Sequence, residues 1–525
     1  MTPTGQTPCD KVAILHGAPC AGASAGGQRW TLAAAILGSG MAFIDGSIVN
    51  VALPAIQREL NASAAQLQWI VEAYALFLAS LLLAGGALGD RLGRRRVFMI
   101  GVALFTVASA ACALSPSADL LIAARALQGI GAALLVPGSL SLIGANFTQA
   151  DRGRAIGTWS ALSGVAAAVG PVLGGWLVEH YRWTWAFLVN LPLGAALLLI
   201  CATRVPESRN SADTSAIDVP GAVLVTIGLA GIVFALVQAP LHGWGSADVL
   251  AALAIGIAGL AFFLRVEARS AAPMVPLRLF RIGDFAGANL LTLLLYAALG
   301  GGLYFLPLNL IQVQGYGAAA AGAAMLPFIA IMFALSRAAG HLVDRTGPRL
   351  PLIVGPLVAA AGFALFMLPG VGSGYWTGFF PATIVLGLGM AITVAPLTTT
   401  VMNAVGAEAA GVASGVNNAV SRAAGLLAIA GFGVLMAHGF NHQLAESLQA
   451  LSLPAGVADA VRQQQDRLAG IALPEGLDAT LRPALQHAIG GAFVAGFRQV
   501  MGVCAALALL SGLSAAWMIG RGKPA

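Results

Sequence analysis

Charged side chains are scarce in this chain. Asp, Glu, Lys and Arg together make up 9% of its 525 residues, while 58% of the residues are hydrophobic. Soluble globular domains carry about one quarter charged residues, so the composition excludes a soluble domain and predicts an integral membrane protein. The net charge is +6. Because the Arg residues stand in short segments between apolar runs, we interpret them as signals of membrane topology, and we expect no nucleic-acid partner.

The sequence also lacks the patterns that hold cofactors. Its five cysteines show no pairing pattern, which predicts neither a disulfide framework nor a metal site. His438 and His442 have i, i+4 spacing but no third ligand, so no metal is expected. No phosphate-binding loop motif occurs, which leaves ATP-driven transport unsupported. Residues 1–29 lack the apolar core of a signal peptide and are interpreted as a disordered cytoplasmic tail.

Long apolar runs are what the sequence has in abundance. A stretch of roughly 18–25 apolar residues can cross a bilayer, and we find fourteen. They are about 31–53, 67–89, 97–114, 119–143, 155–178, 185–202, 218–239, 248–265, 285–309, 318–340, 352–369, 377–400, 411–436 and 490–519. With both termini in the cytoplasm, about 19 Lys and Arg residues fall on the cytoplasmic side and about 5 on the other.

A repeated motif divides the chain into two related parts. The sequence GALGDRLGRRR at Gly86–Arg96 has a weaker copy, GHLVDRTGPR, at Gly340–Arg349, at an offset of 254 residues. The offset aligns spans 1–6 with spans 9–14. We therefore predict an all-α membrane protein with fourteen transmembrane helices in a 6+2+6 arrangement and two parallel-repeat halves. The predicted parts are 30–205, 218–265 and 285–525, with a long extracytoplasmic loop at 437–489.

Five segments then identify a family resemblance. They are FIDGSIVNVALPAI at Phe43–Ile56, GALGDRLGRRR at Gly86–Arg96, RALQGIGAALLVPGSL at Arg125–Leu140, SGVAAAVGPVLGGWL at Ser163–Leu177 and YRWTWAFLVNLPLG at Tyr181–Gly194. The chain resembles the major facilitator superfamily, and within it the fourteen-span drug:proton antiporters of the EmrB/QacA type. The fourth segment resembles the signature of exporters.

The resemblance implies a function as well as a fold. It implies a non-enzymatic transporter of a bacterial inner membrane that exports hydrophobic or amphipathic, often cationic drugs or antibiotics by alternating access. The proton gradient would supply the energy in place of a cofactor, and a periplasmic adaptor protein would be a compatible partner. The alternatives are proton-coupled uptake or export of one specific solute, or a polytopic membrane enzyme or sensor.

Three charged residues are candidates for proton coupling. Asp45, Glu72 and Arg125 fall in the outer halves of spans 1, 2 and 4. A charge inside a bilayer is costly and needs a partner, a proton or water. We expect a buried cluster of two acids and one Arg that proton or substrate entry disrupts. The alternative is that Asp45 is structural and that Glu72 lies in a wet outer mouth.

Span 5 has a face without side chains, interrupted by one proline. Its members are Gly164, Gly170, Pro171, Gly174 and Gly175. Small residues at this spacing allow close helix approach, and a proline favours a kink. We predict a gating helix whose partner is the small-residue run Ala318–Ala324. Ordinary helix packing is the alternative.

The repeated hairpin is a candidate conformational latch. Its proposed members are Gly86, Asp90, Arg91, Gly93, Arg94, Arg95, Asp344 and Arg345. Asp90 could pair with the positive end of span 13, whereas the Arg residues could equally serve topology alone. Within span 13, Asn417, Asn418 and Arg422 form a polar strip that could face substrate or brace the first half.

Overall fold

The computed structural model describes residues 25–209, 218–270, 272–406, 409–451, 453–474 and 477–520. Fourteen long helices account for most of them. The first seven are α1 Ala25–Leu60, α2 Ala64–Leu92, α3 Arg94–Ala113, α4 Ala118–Asn146, α5 Gln149–His180, α6 Asn190–Arg204 and α7 Val219–His242. The others are α8 Ala247–Glu267, α9 Gly283–Leu308, α10 Leu326–Thr346, α11 Arg349–Leu365, α12 Phe380–Asn403, α13 Ala410–Ala450 and α14 Leu481–Met518.

Nearly all of these helices can cross a membrane by length and composition. In the described part of the chain, thirteen segments meet that requirement, and α11 is a shorter apolar helix. A helix suits this sequence because it satisfies its own backbone hydrogen bonds, which lipid cannot do. The prediction of an all-helical protein with about fourteen apolar helices is therefore confirmed. The 6+2+6 division stays a prediction.

The helix ends correct the predicted limits of the long loop. α13 continues to Ala450 and α14 begins at Leu481, so the segment between them is 451–480 and shorter than the predicted 437–489. That segment contains a short helix, Ala455–Arg462, and a 3₁₀ turn, Gln465–Gly470. The sequence reasoning ended each span where hydropathy fell, but a helix continues beyond the apolar region wherever its backbone bonds stay satisfied.

The helices form two compact units. The first comprises Met1–Val49, Ala73–Thr226 and Ala261–Met274. The second comprises Asn50–Glu72, Ile227–Leu260 and Val275–Ala525. The outer ends of α1 and α2, as the sequence orients them, therefore belong to the second unit, although the rest of both helices belongs to the first.

Glycines set the helix spacing in the first unit. A Cβ on Gly131 of α4 would lie 2.7 Å from the backbone nitrogen of Phe105 on α3, and one on Gly85 of α2 would lie 2.1 Å from the carbonyl oxygen of Ala133. Both distances are shorter than a carbon atom tolerates. α4 can therefore touch α2 and α3 only because these positions carry no side chain. Phe98 and Phe105 fill the apolar core beside them.

The second unit uses the same kind of packing. A Cβ on Gly389 of α12 would lie 2.4 Å from the backbone nitrogen of Ala359 on α11. On α9, a Cβ at Gly301 would lie 2.0 Å from the ring of Phe432 on α13. Phe432 is buried, so its ring occupies the space that the glycine leaves. The many glycines of the sequence thus allow helices to pack closely in both units.

Candidate functional site

Asp45 is a completely buried carboxylate in the middle of α1. Its Oδ2 lies 2.5 Å from Nη1 of Arg125 on α4, and Arg125 is 1% exposed. Removing one partner of such a pair leaves an uncompensated buried charge, which costs about 3–5 kcal/mol. The predicted association of Asp45 with Arg125 is therefore present in the structure, and each side chain supplies the partner that the other needs.

Two amide side chains complete the environment of Asp45. Oδ1 accepts hydrogen bonds from Nε2 of Gln128 at 2.7 Å and from Nδ2 of Asn190 at 3.0 Å. Oε1 of Gln128 in turn accepts from Nη1 of Arg125 at 2.6 Å. The Ser109 hydroxyl accepts from both amides, at 2.8 Å from Gln128 and 3.3 Å from Asn190. We call Asp45, Arg125, Gln128, Asn190 and Ser109 the Asp45 network.

Aromatic rings enclose the guanidinium of this network. Cζ of Arg125 lies 4.3 Å from the ring centre of Tyr74 and 5.8 Å from that of Phe187. Cation–π contact of this kind contributes most where water is excluded. The Tyr74 hydroxyl is fixed by donating to the carbonyl oxygen of Ala42 at 3.3 Å. The two rings therefore give the cation of Arg125 contacts in addition to its pair with Asp45.

The sequence reasoning missed three members of this network. Gln128 stands three positions after Arg125, and Asn190 stands in the quoted segment FLVNLPLG. Both are amides in otherwise apolar helices, which is the signal that could have found them. Ser109 gives no such signal, because hydroxyls inside spans commonly bond their own helix.

Glu72 does not join the Asp45 network. It is completely buried, it belongs to the second unit, and neither of its carboxylate oxygens has a hydrogen-bond partner among the described residues. The expected cluster of two acids with Arg125 was therefore wrong for Glu72. Depth along neighbouring helices was the basis of that expectation, and depth does not specify which face of a helix a side chain occupies.

Asp90 pairs with Arg94 inside the first hairpin. Nε of Arg94 lies 2.7 Å from Oδ1 of Asp90, one turn earlier along the chain. Arg91 is exposed, and Gly86 lies beside Pro137 of α4. In the copy, the side chains of Asp344 and Arg345 lie outside the described part of the structure. A latch between Asp90 and α13 stays a prediction, and in this conformation the carboxylate bonds Arg94.

A second carboxylate, from outside the hairpin, contacts the hairpin backbone, and the sequence reasoning missed it. Glu207, in the segment after α6, accepts hydrogen bonds from the backbone nitrogens of Arg95 at 3.0 Å and Arg96 at 3.1 Å. It therefore caps the positive end of α3. Gly93 precedes that helix with φ 113°, and a Cβ there would lie 2.9 Å from the Glu207 carboxyl. The glycine is required both by its backbone conformation and by this close approach.

The glycine face of α5 packs on α1. A Cβ on Gly170 would lie 2.0 Å from Oγ of Ser47, and one on Gly174 would lie 2.2 Å from Cγ1 of Ile48. The nearest neighbour of these two glycines is therefore α1. A gating contact with Ala318–Ala324 stays a prediction. Pro171 lies inside α5 and Gly175 is buried. Gly164 has nothing within 4 Å of its Cβ position.

The polar strip of α13 divides into different environments. Nδ2 of Asn417 donates to Oγ1 of Thr292 at 2.7 Å and to Oδ1 of Asn289 at 3.2 Å, both on α9. Asn418 is exposed, and Arg422 is half-buried. Asn417 thus braces α13 against α9 inside the second unit, which spacing along one helix could not specify.

Comparison with known proteins assigns the family. The sequence pattern of the Major Facilitator Superfamily matches residues 35–429, well over half of the chain. The chain belongs to the Major Facilitator Superfamily. As a member of that superfamily it is a multi-pass membrane transporter and not an enzyme. The Asp45 network lies entirely within the matched region.

Relatives of this facilitator are resistance and export proteins. It is 34% identical to the tetracenomycin C resistance and export protein of Streptomyces glaucescens over 490 residues, which cover 92% of this chain and 90% of the relative. It is 38% identical to the multidrug resistance protein Stp of Mycobacterium tuberculosis over 414 residues, 78% of this chain and 75% of the relative.

A solved structure supports the facilitator fold. The chain is similar to a bacterial homologue of the human lysosomal transporter Spinster in an inward-facing and unoccupied conformation. The TM-score is 0.63 at 18% identity, and the match covers 96% of this chain and 100% of the other. At this identity the similarity concerns the fold alone.

Proposed function

We propose that this facilitator exports hydrophobic or amphipathic, often cationic drugs or antibiotics, in exchange for protons that flow inward. The observation that carries the proposal is the buried Asp45–Arg125 pair. It puts an ionisable carboxylate inside a span of a transporter, where an ionised group marks a proton or substrate pathway. The drug and antibiotic resistance functions of the relatives support small-molecule efflux.

The chemistry of the network favours exchange over simple binding. Asp45 satisfies Arg125 while it is ionised. When a proton neutralises Asp45, Arg125 keeps its bond to Gln128 and its aromatic neighbours, so the cation does not have to leave its place. A proton on Oδ2 of Asp45 would therefore act first on its contact with Nη1 of Arg125, which joins α1 and α4 at 2.5 Å. In this proposal the contact forms in one state of alternating access and breaks in the other.

Finer features of the proposal follow the family resemblance. We assign the chain to the fourteen-span drug:proton antiporters of the EmrB/QacA type, with a 6+2+6 arrangement in a bacterial inner membrane and both termini in the cytoplasm. The proton gradient is the energy source, with no cofactor, and a periplasmic adaptor is a compatible partner. In the same proposal Glu72 is a second proton-carrying acid, because its buried carboxyl has no hydrogen-bond partner among the described residues and is most stable when neutral.

Export of dye from membranes tests the proposal. Inverted membrane vesicles that contain the protein should accumulate ethidium when their lumen is acidic, because the proton then leaves as the dye enters. Collapsing the proton gradient with an uncoupler should stop the accumulation. Accumulation that continues after the gradient has collapsed would overturn proton antiport. If vesicles take up one solute but no dye, the protein is instead a carrier of one specific solute.

A further inference from the structure

The second unit contains a cavity whose lining includes neither Asp45 nor Arg125. Its volume is about 130 Å³. A water molecule occupies about 30 Å³ in the liquid, so the cavity has room for about four waters or for one aromatic ring of a small drug. Its walls come from the end of α1, the start of α2, the end of α7, α9, α13, α14 and the turn at Gln465–Leu468. We call it the outer cavity.

Apolar and aromatic side chains form most of the wall of the outer cavity. Tyr304 and Phe305 of α9 and Phe493 of α14 line it, and each is nearly or completely buried. On α7, Pro240 and Leu241 contribute to the same wall. α7 is one of the two helices that the sequence repeat leaves unmatched, so one of the two predicted inserted helices contributes to this cavity.

A segment of the connection between α13 and α14 covers the outer cavity. Nε2 of Gln57 on α1 donates to the carbonyl oxygen of Arg467 at 3.1 Å, and Oε1 of Gln57 accepts from Nε2 of Gln312 at 2.7 Å. Leu468 is 9% exposed and has φ 53°, a conformation that is strained for a leucine. Strain of this kind persists only where the surroundings fix the backbone, so the turn is held against the cavity.

One buried polar atom of the cavity wall has no hydrogen-bond partner among the described residues. It is Oδ1 of Asn441, which is an acceptor. Gln68 also lines the cavity and donates to the carbonyl oxygen of Ile429 at 3.1 Å. A buried acceptor without a donor is costly, so the chemistry that would complete this region is a donor.

We propose that the outer cavity is a second binding site, which takes an amphipathic aromatic compound bearing an amine or hydroxyl donor. The donor would bond Oδ1 of Asn441, and the ring would lie among Tyr304, Phe305 and Leu241. The turn at Gln465–Leu468 would cover it. The inference rests on the proposed function, which supplies the chemical class of the ligand.

Ethidium binding to the purified full-length protein in lipid nanodiscs, without a proton gradient, tests this site. Ethidium is aromatic, cationic and carries two amino groups. Wild-type protein should bind it in two saturable classes. Leu241→Trp, which fills the cavity at a side chain that is 47% exposed, should remove one class. Leu250→Trp is the matched control, because Leu250 is 52% exposed on α8 and does not line the cavity; it should leave both classes unchanged.

A second variant removes the acceptor without filling the space. Asn441→Leu should weaken one class of binding by roughly 2- to 10-fold, the range of one net hydrogen bond. If Leu241→Trp fails to fold, ethidium binding to the Asn441→Leu variant still tests the outer cavity. Ethidium binding that neither variant alters would overturn the outer site while export in vesicles could continue. Conversely, loss of export with binding still sensitive to Leu241→Trp would overturn the proposed function and leave the site in place.

Discussion

Asn190 lies 145 positions after Asp45 in the sequence, yet its Nδ2 donates to Oδ1 of Asp45 at 3.0 Å. The same carboxylate oxygen accepts from Gln128. The Asp45 network is therefore a carboxylate with three side-chain donors from two other helices, and one of those helices, α6, was assigned no role from sequence. This relationship makes the contribution of α6 directly testable.

Asn190→Leu should reduce proton-driven ethidium accumulation by about tenfold. The variant removes a donor to a buried carboxylate, and a bond to a charged group contributes about 1.5–3 kcal/mol. The measurement is the initial rate of dye uptake into inverted vesicles at equal protein amount. A rate equal to that of the wild type would show that Asn190 only packs between α1 and α6.

Asp45→Asn should abolish the dependence of export on the proton gradient, because an amide cannot carry a proton in exchange for substrate. Dye accumulation in inverted vesicles with and without an uncoupler measures this dependence. The control is Asp119→Asn, since Asp119 is an exposed acid in the first turn of α4. If the Asp45 variant stays fully gradient-driven, the proton is carried elsewhere and Glu72 becomes the first alternative.

Gly170→Ala should impair export and lower thermal stability, because its methyl group would lie 2.0 Å from Oγ of Ser47. Overpacking of this kind costs about 1–3 kcal/mol. Gly164→Ala is the matched control on the same helix, since no atom lies within 4 Å of its Cβ position. Adding Ser47→Ala to Gly170→Ala should restore part of the loss. If both glycine variants behave alike, close packing of α5 on α1 is not what export requires.

Glu207→Gln should destabilise the protein by about 0.5–1 kcal/mol, because the amide loses the negative charge at the start of α3. The melting temperature of the purified protein would report the change. Glu446→Gln is a suitable control, since Glu446 is 59% exposed and contacts only His442 at 3.7 Å among its described ion pairs. An equal melting temperature for both variants would contradict the capping role of Glu207.

Asp90→Asn separates a latch from a local ion pair. Its contact with Arg94 is partly exposed, with Asp90 41% accessible, and such pairs contribute about 0–1 kcal/mol. A stability change within this range, together with strongly reduced export, is what a latch predicts. Unchanged export at unchanged stability would leave the Asp90–Arg94 pair as a local contact.

The sequence by itself determined the membrane-embedded helical fold and the most informative acid–base pair. Low charge and long apolar runs specify helices that cross a bilayer, because only a helix or a closed barrel satisfies its backbone there. A buried Asp and a buried Arg in neighbouring spans are each too costly to stand alone, which is why Asp45 and Arg125 were expected in one cluster, although Glu72 was expected there as well. Hydropathy likewise located most helix ends to within a few residues.

The tertiary structure decided everything that depends on the facing of helices. It separated Glu72 from the pair, brought Asn190 and Gln128 to Asp45, set the glycines of α5 against α1 and bonded Glu207 to the start of α3. The physical reason is that spacing along one helix specifies a face but not the neighbour which that face meets. The outer cavity is also decided by the tertiary structure, because its wall joins Gln57 and Leu468, which are more than 400 positions apart in the sequence.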